Sequence, residues 1–117
     1  MKTKRFHYLF DIDNCNHNIN DPETIKKFII ELVKKIDMNV LKGPYIAKGI
    51  EENPGWSAIV IIDFSNISVH TFTKYKEVLI DVFSCRIYDK DRAFKVCKDF
   101  FATAKSKIRK KKVWWDV

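Results

Sequence analysis

Glycine and proline are scarce in this chain, three of each in 117 residues, and nothing in the composition suggests a fibrous or disordered protein. Cysteine is equally sparse. Cys15, Cys85 and Cys97 are odd in number and lack paired spacing, which argues against a disulfide framework and for reduced thiols in a cytoplasmic setting. No apolar run approaches 18 residues, and Met1-Lys-Thr-Lys-Arg5 passes straight into mixed sequence, so neither a membrane span nor a secretory leader is expected. What remains is 46% hydrophobic and 32% charged, the balance of a single folded domain over residues 1–117.

Acidic residues are outnumbered, 15 against 22 basic, for a net charge of +7. Lys105, Lys107, Arg109, Lys110, Lys111 and Lys112 carry most of that excess. The basicity is therefore one C-terminal stripe, read as a solvated helix end where the helix dipole favours cations. A small nucleic-acid-binding module, with Trp56, Trp114 and Trp115 stacking on bases, is the less favoured reading of the same stripe. Cys15 and His17 form a Cys-x-His pair, but no second cluster completes a metal site and no metal is expected.

Residues 4–13 are rich in aromatic and β-branched types and predict a strand. Asn14 to Asp21 is a polar loop. Asp21 makes an N-cap with Pro22 at the first helical position, and Ile25, Phe28, Ile29, Leu32, Val33 and Ile36 give a helix with one buried face. All three glycines and two of the prolines fall between residues 43 and 55, predicting a loop with a short strand near Tyr45–Ala47. Ser57 to Asp63 reads as a strand covered on both faces, and Ile67 to Phe72 as an alternating one. Phe64-Ser65-Asn66 lies at a tight reversal between them. Glu77 to Ser84 is a further strand. A second helix begins near Asp89 and carries Phe94, Cys97, Phe101, Ala104 and Ile108 on one stripe, and Val113 to Trp115 is a last short strand. The order β-α-β-β-β-β-α-β predicts an α+β two-layer sandwich, an antiparallel sheet with two helices on one face.

Ser57, Ser65, His70 and Cys85 are polar groups in or beside apolar strands, where such groups need a reason. Spacing alone leaves open a hydrolase triad, a cysteine nucleophile or satisfied core polar groups. The run Ser57-Ala-Ile-Val-Ile-Ile-Asp-Phe-Ser65-Asn-Ile-Ser-Val-His70-Thr-Phe72, followed by Ile80-Asp-Val-Phe-Ser-Cys85, resembles the core signature of the short prokaryotic S-adenosylmethionine decarboxylases. In that family an apolar strand leads into Glu-Ser-His, then Ile-His-Thr-Trp-Pro-Glu-Tyr, then Asp-Leu/Val-Phe-Thr-Cys. The stretch from His7 to Cys15 is similar to the family's opening strand.

The resemblance implies an enzyme that makes its own cofactor. The Ser65 hydroxyl would attack the carbonyl of Phe64. Loss of the Ser65 α-proton would then release a β chain of residues 1–64 and leave a pyruvoyl group on an α chain of residues 65–117. Ser57 and His70 would transfer protons in that cleavage. The pyruvoyl carbonyl would take the substrate amine as a Schiff base and act as an electron sink for decarboxylation, with Cys85 returning a proton. Phe72 would stack on the adenine and Tyr45 on its other side. The implied product is the aminopropyl donor of spermidine synthesis, and the implied assembly a homodimer. This chain departs from the pattern at Phe64 (family Glu), Asn66 (family His) and Thr73-Lys74 (family Pro-Glu). An ammonium at Lys74 can only donate hydrogen bonds, whereas a carboxylate accepts them from ribose hydroxyls. Asp11 keeps one acidic position near the first strand. These departures leave room for a same-fold homologue with another amino-acid substrate, or one that stays uncut and inactive.

Overall fold

Alternation of apolar and polar residues sets which way each strand faces. In β1 (Arg5–Ile12) Phe6, Tyr8, Phe10 and Ile12 are buried and the intervening residues are not. In β5 (Glu77–Ser84) Val78, Ile80, Val82 and Ser84 are buried in the same rhythm. A period of two places each set on one face of a sheet. The computed structural model describes residues 1–116. Its elements run β1, α1 (Pro22–Lys35), β2 (Val40–Ile50), β3 (Asn53–Ile62), β4 (Ser65–Phe72), β5, α2 (Lys90–Phe101) and β6 (Ile108–Trp115), with a short 3₁₀ turn at His17–Asn20. Six antiparallel strands lie in the order β2-β3-β4-β5-β1-β6.

Both helices cover the face bearing the buried strand residues. Asp21 caps α1, its carboxylate accepting the Glu23 N–H at 3.1 Å and the Thr24 hydroxyl at 2.7 Å. Asp89 caps α2 through the Asp91 and Arg92 N–H groups. Phe28 and Phe101 meet edge to face at 4.8 Å between the helices, and Phe10 stacks on Phe94 at 5.6 Å. This is the α+β two-layer sandwich anticipated from the element order.

Three local expectations need correction. Residues 43–55 are not a loop with a short strand but the greater part of a long hairpin, β2 and β3, reversing at Glu51-Glu52. Bulges absorb the glycines and the Gly43-Pro44 bond, so the pairing survives the punctuation. Residues 57–63 are not covered on both faces, since Ala58, Val60 and Ile62 are buried while Ile59 and Ile61 are 44% and 43% exposed. The third concerns the basic stripe. α2 stops at Phe101, because the Thr103 and Ser106 hydroxyls both donate to the Asn14 carbonyl and turn the chain away. Ala104 and Ile108 are therefore not on the helix. The cations from Arg109 to Lys112 lie on edge strand β6, not at a helix end. Lys110 sits over the Phe94 ring at 4.0 Å and Lys112 over Trp114 at 5.3 Å, and a lysine-rich edge resists pairing with further strands.

Gly55 holds the hairpin against β4. Its φ is +151°, and a Cβ there would lie 1.8 Å from the Thr71 carbonyl oxygen. Gly55→Ala is expected to destabilise the protein by about 2–4 kcal/mol, read as a lower thermal midpoint. An unchanged midpoint would mean that β3 and β4 separate here at little cost.

Candidate functional site

The β3–β4 connection is a two-residue turn. Ile62 pairs with Ser65, leaving only Asp63 and Phe64 to reverse the chain. Ser65, the first residue of β4, has φ +144°, a conformation that costs a non-glycine residue about 1–3 kcal/mol and persists only where its surroundings impose it. Those surroundings are visible on both sides. Asn39 donates from its backbone and side-chain nitrogens to the Asp63 carboxylate at 3.1 and 3.0 Å, bonds that hold this carboxyl below the usual range. The Phe64 carbonyl oxygen accepts the backbone N–H of Cys85 at 2.9 Å. An N–H aimed at the carbonyl of a strained peptide is the donor that stabilises charge developing on that oxygen under attack.

Cys85 is exposed, whereas Cys15 and Cys97 are buried. Burial pushes the Cys15 thiol up to about 12 and that of Cys97 well above its ordinary range. Among the three, Cys85 is the thiol that meets solvent, and it does so beside the scissile candidate.

Ser57 and His70 form a second cluster. They are register partners on β3 and β4, and Ser57 Oγ lies 2.8 Å from His70 Nδ1. The pair opens into a cleft of about 210 Å³ that also takes in Trp56, Gly49 and Phe72. Phe72 thus shares a cleft with the Ser57–His70 pair. Tyr45 of β2 pairs with Ile59 of β3 and is 54% exposed on the outer sheet face. Lys74 stands in the turn beyond Phe72, its ammonium 5.7 Å from the Tyr75 ring. Asp11 lies on the same outer row as His70, two strands over through Leu79, and is held by Arg109 at 2.9 Å. Glu77 and Asp13 share a neighbouring cleft with it.

The structure therefore gathers the predicted residues into two groups. Phe64, Ser65 and Cys85 lie at one end of the sheet, and Ser57, His70 and Phe72 at the other. Ser65 and His70 stand five residue steps apart on β4, about 17 Å at the rise of an extended strand. Among the described residues no cluster of three or more His, Cys, Asp or Glu side chains is placed to hold a metal ion, and no helix is long and apolar enough to cross a membrane.

Comparison with known proteins places these features in context. A family model described as S-adenosylmethionine decarboxylase matches residues 6–112. An S-adenosylmethionine decarboxylase proenzyme of Thermodesulfovibrio yellowstonii is 32% identical over 81 residues, covering 68% of this chain and 57% of that one. One of Pyrococcus horikoshii is 34% identical over 86 residues, covering 73% and 60%. This chain thus spans less than two thirds of the length of either relative. A proenzyme of Clostridium botulinum is 29% identical over 112 residues and 93% of both chains. Among solved structures, an adenosylmethionine decarboxylase from Aquifex aeolicus shares the fold with a TM-score of 0.77 at 20% identity, over 95% of this chain and 91% of that one.

Proposed function

The chain belongs to the S-adenosylmethionine decarboxylase family, and from that premise we propose that it is a pyruvoyl-dependent decarboxylase of S-adenosylmethionine, supplying the aminopropyl donor for spermidine. The observation that carries this reading is the strained Ser65 peptide, with its carbonyl already hydrogen-bonded to Cys85. Self-cleavage follows from it. Ser65 Oγ adds to the Phe64 carbonyl carbon, the Phe64–Ser65 C–N bond breaks, and the freed nitrogen takes a proton. Loss of the Ser65 α-proton expels residues 1–64 as a carboxylate and leaves a dehydroalanine, whose enamine takes a proton at Cβ to become an imine. Water replaces the imine nitrogen, which leaves as ammonia. The group of Phe64 that reacts is its backbone carbonyl, so the missing glutamate side chain does not block the first step.

A pyruvoyl group so formed at residue 65 fits this position, because the turn already presents Ser65 at a strand end beside the exposed Cys85; it supplies the electron sink for loss of carbon dioxide. The other work falls to side chains. Ser57 and His70 hold a proton between Oγ and Nδ1, Phe72 gives the adenine a face to stack on, and the Cys85 thiol returns a proton to the product.

Two copies complete the site in this reading. The sheet face opposite the helices exposes Tyr45, Ile59 and Ile61, and covering such a face with a second copy buries apolar surface. A two-fold axis lying across the strands sets the Ser65–Cys85 end of one copy against the Ser57–His70 end of the other. The separation of about 17 Å within a chain then becomes proximity between chains. Sedimentation at micromolar concentration should give a dimer, and a monomer there would remove the partner this arrangement needs.

Substrate choice turns on Lys74. Replacing a ribose-binding carboxylate by an ammonium forfeits charge-assisted bonds of about 1.5–3 kcal/mol each, roughly ten- to more than a hundredfold per bond in affinity. Carbon dioxide release from S-adenosylmethionine should therefore be weak in the wild type and stronger in Lys74→Glu. Arginine and ornithine are the controls. Brisk wild-type turnover that Lys74→Glu leaves unchanged would show that Lys74 is not at the ribose. Turnover of arginine or ornithine in preference would move the protein to another substrate on the same fold.

A further inference from the structure

Arg86 follows the proposed proton donor and touches the proposed scissile turn from outside the reacting atoms. Its guanidinium carbon lies 4.1 Å from the centre of the Phe64 ring, and its Nη2 donates to the Asp37 carbonyl at the end of α1. Its own backbone is fixed, since the Arg86 N–H donates to Ser84 Oγ at 2.9 Å and the Ser84 hydroxyl donates back to the Arg86 carbonyl at 2.6 Å. Ser84 is fully buried and is the register partner of Ser65. Asn39 grips Asp63 from the other side. Both residues of a two-residue turn are thus held by segments far away in the chain, and the next peptide is the strained one.

We propose that Arg86 is a positioning residue for self-cleavage, clamping the Phe64 side chain so that the Phe64 carbonyl stays on the Cys85 N–H and Ser65 stays in its strained conformation. The proposal rests on the reading of Phe64–Ser65 as the bond that is cut. A guanidinium suits an aromatic ring here, because it stacks on the face while its fork reaches a carbonyl. Arg86 and Phe64 thereby form a matched pair, the ring taking a cation on its face where a glutamate would have taken it at a carboxylate. Freed of this contact, the Phe64 ring and its carbonyl lose their alignment, and misplacing a reacting group by an ångström costs rate on the order of a hundredfold.

The test follows cleavage in time by intact mass, on full chains made in a cell-free system, with circular dichroism as the check on folding. Arg86→Ala and Phe64→Leu should each slow cleavage roughly ten- to hundredfold. The double variant should be no slower than either single, because both changes remove one contact. Arg86→Lys, which keeps a cation over the ring, should recover part of the rate. Phe64→Glu, which offers Arg86 a carboxylate instead, should cleave at least as fast as the wild type. A folded Arg86→Ala that cleaves at the wild-type rate overturns the clamp while leaving the cleavage reading intact. If Arg86→Ala does not fold, a wild-type rate in Phe64→Leu overturns it equally. Additive slowing in the double variant would also overturn it, as two independent structural defects. A wild-type chain that never cleaves removes the reading and the clamp together.

Discussion

Ser65→Ala is expected to remain a single chain of 13.9 kDa, while the wild-type protein separates on a denaturing gel into residues 1–64 and 65–117. The effect is all or none, because no other hydroxyl occupies the strand position that follows the Asp63-Phe64 turn. Mass spectrometry should find the larger fragment ending at Phe64 with a free carboxylate, and the smaller one lacking a free α-amine. A second measurement isolates the strain. Alanine at φ +144° keeps the backbone penalty, whereas glycine adopts that region freely. Ser65→Gly should therefore be more stable than Ser65→Ala by about 1 kcal/mol or more, although neither is cut. Equal stability would mean that Ser65 is not strained in solution. A wild-type chain still whole after prolonged incubation would sink the pyruvoyl assignment.

Much of the fold was legible because it depends on local rules. The apolar spacing of α1 and its Asp21 cap are both readable from neighbouring residues, as is the alternation in β1, β4 and β5. The long β2–β3 hairpin was not. Its glycines and prolines are turn-formers by propensity, and only pairing across the hairpin, with bulges to absorb them, overrides that. The end of α2 was hidden for a similar reason. It is set by Thr103 and Ser106 reaching Asn14, about 90 residues earlier in the chain. At the candidate site, Ser57, Ser65, His70, Phe72 and Cys85 could be named from the motif, but their division between two ends of a sheet could not. Ser65 and His70, five steps apart along β4, look close in sequence and stand about 17 Å apart as a strand. Arg86 and Asn39 carried no signal at all, since their partners in the turn lie 22 and 24 residues away and no local period joins them.

That division gives the final prediction, which concerns two inactive variants mixed in one cell. Ser65→Ala and His70→Ala should each lack decarboxylase activity when made alone. Co-expressed, they should form mixed dimers in which one of the two sites is intact. There the His70→Ala copy donates its own Ser65 and Cys85, and the Ser65→Ala copy donates Ser57 and His70. Random pairing makes half the dimers mixed, so about a quarter of wild-type activity should return, accompanied by cleavage of the His70→Ala chain alone. The fragment pattern identifies which chain was cut, so activity and processing are read independently. A site confined to one chain predicts no recovery, because no copy then holds both Ser65 and His70. Mixed dimers verified by mass but no more active than the separate variants would place both residue groups in one protomer's site. The β4 strand would then have to bend until its ends met, against the continuous pairing of Ser65 through Phe72 with β5.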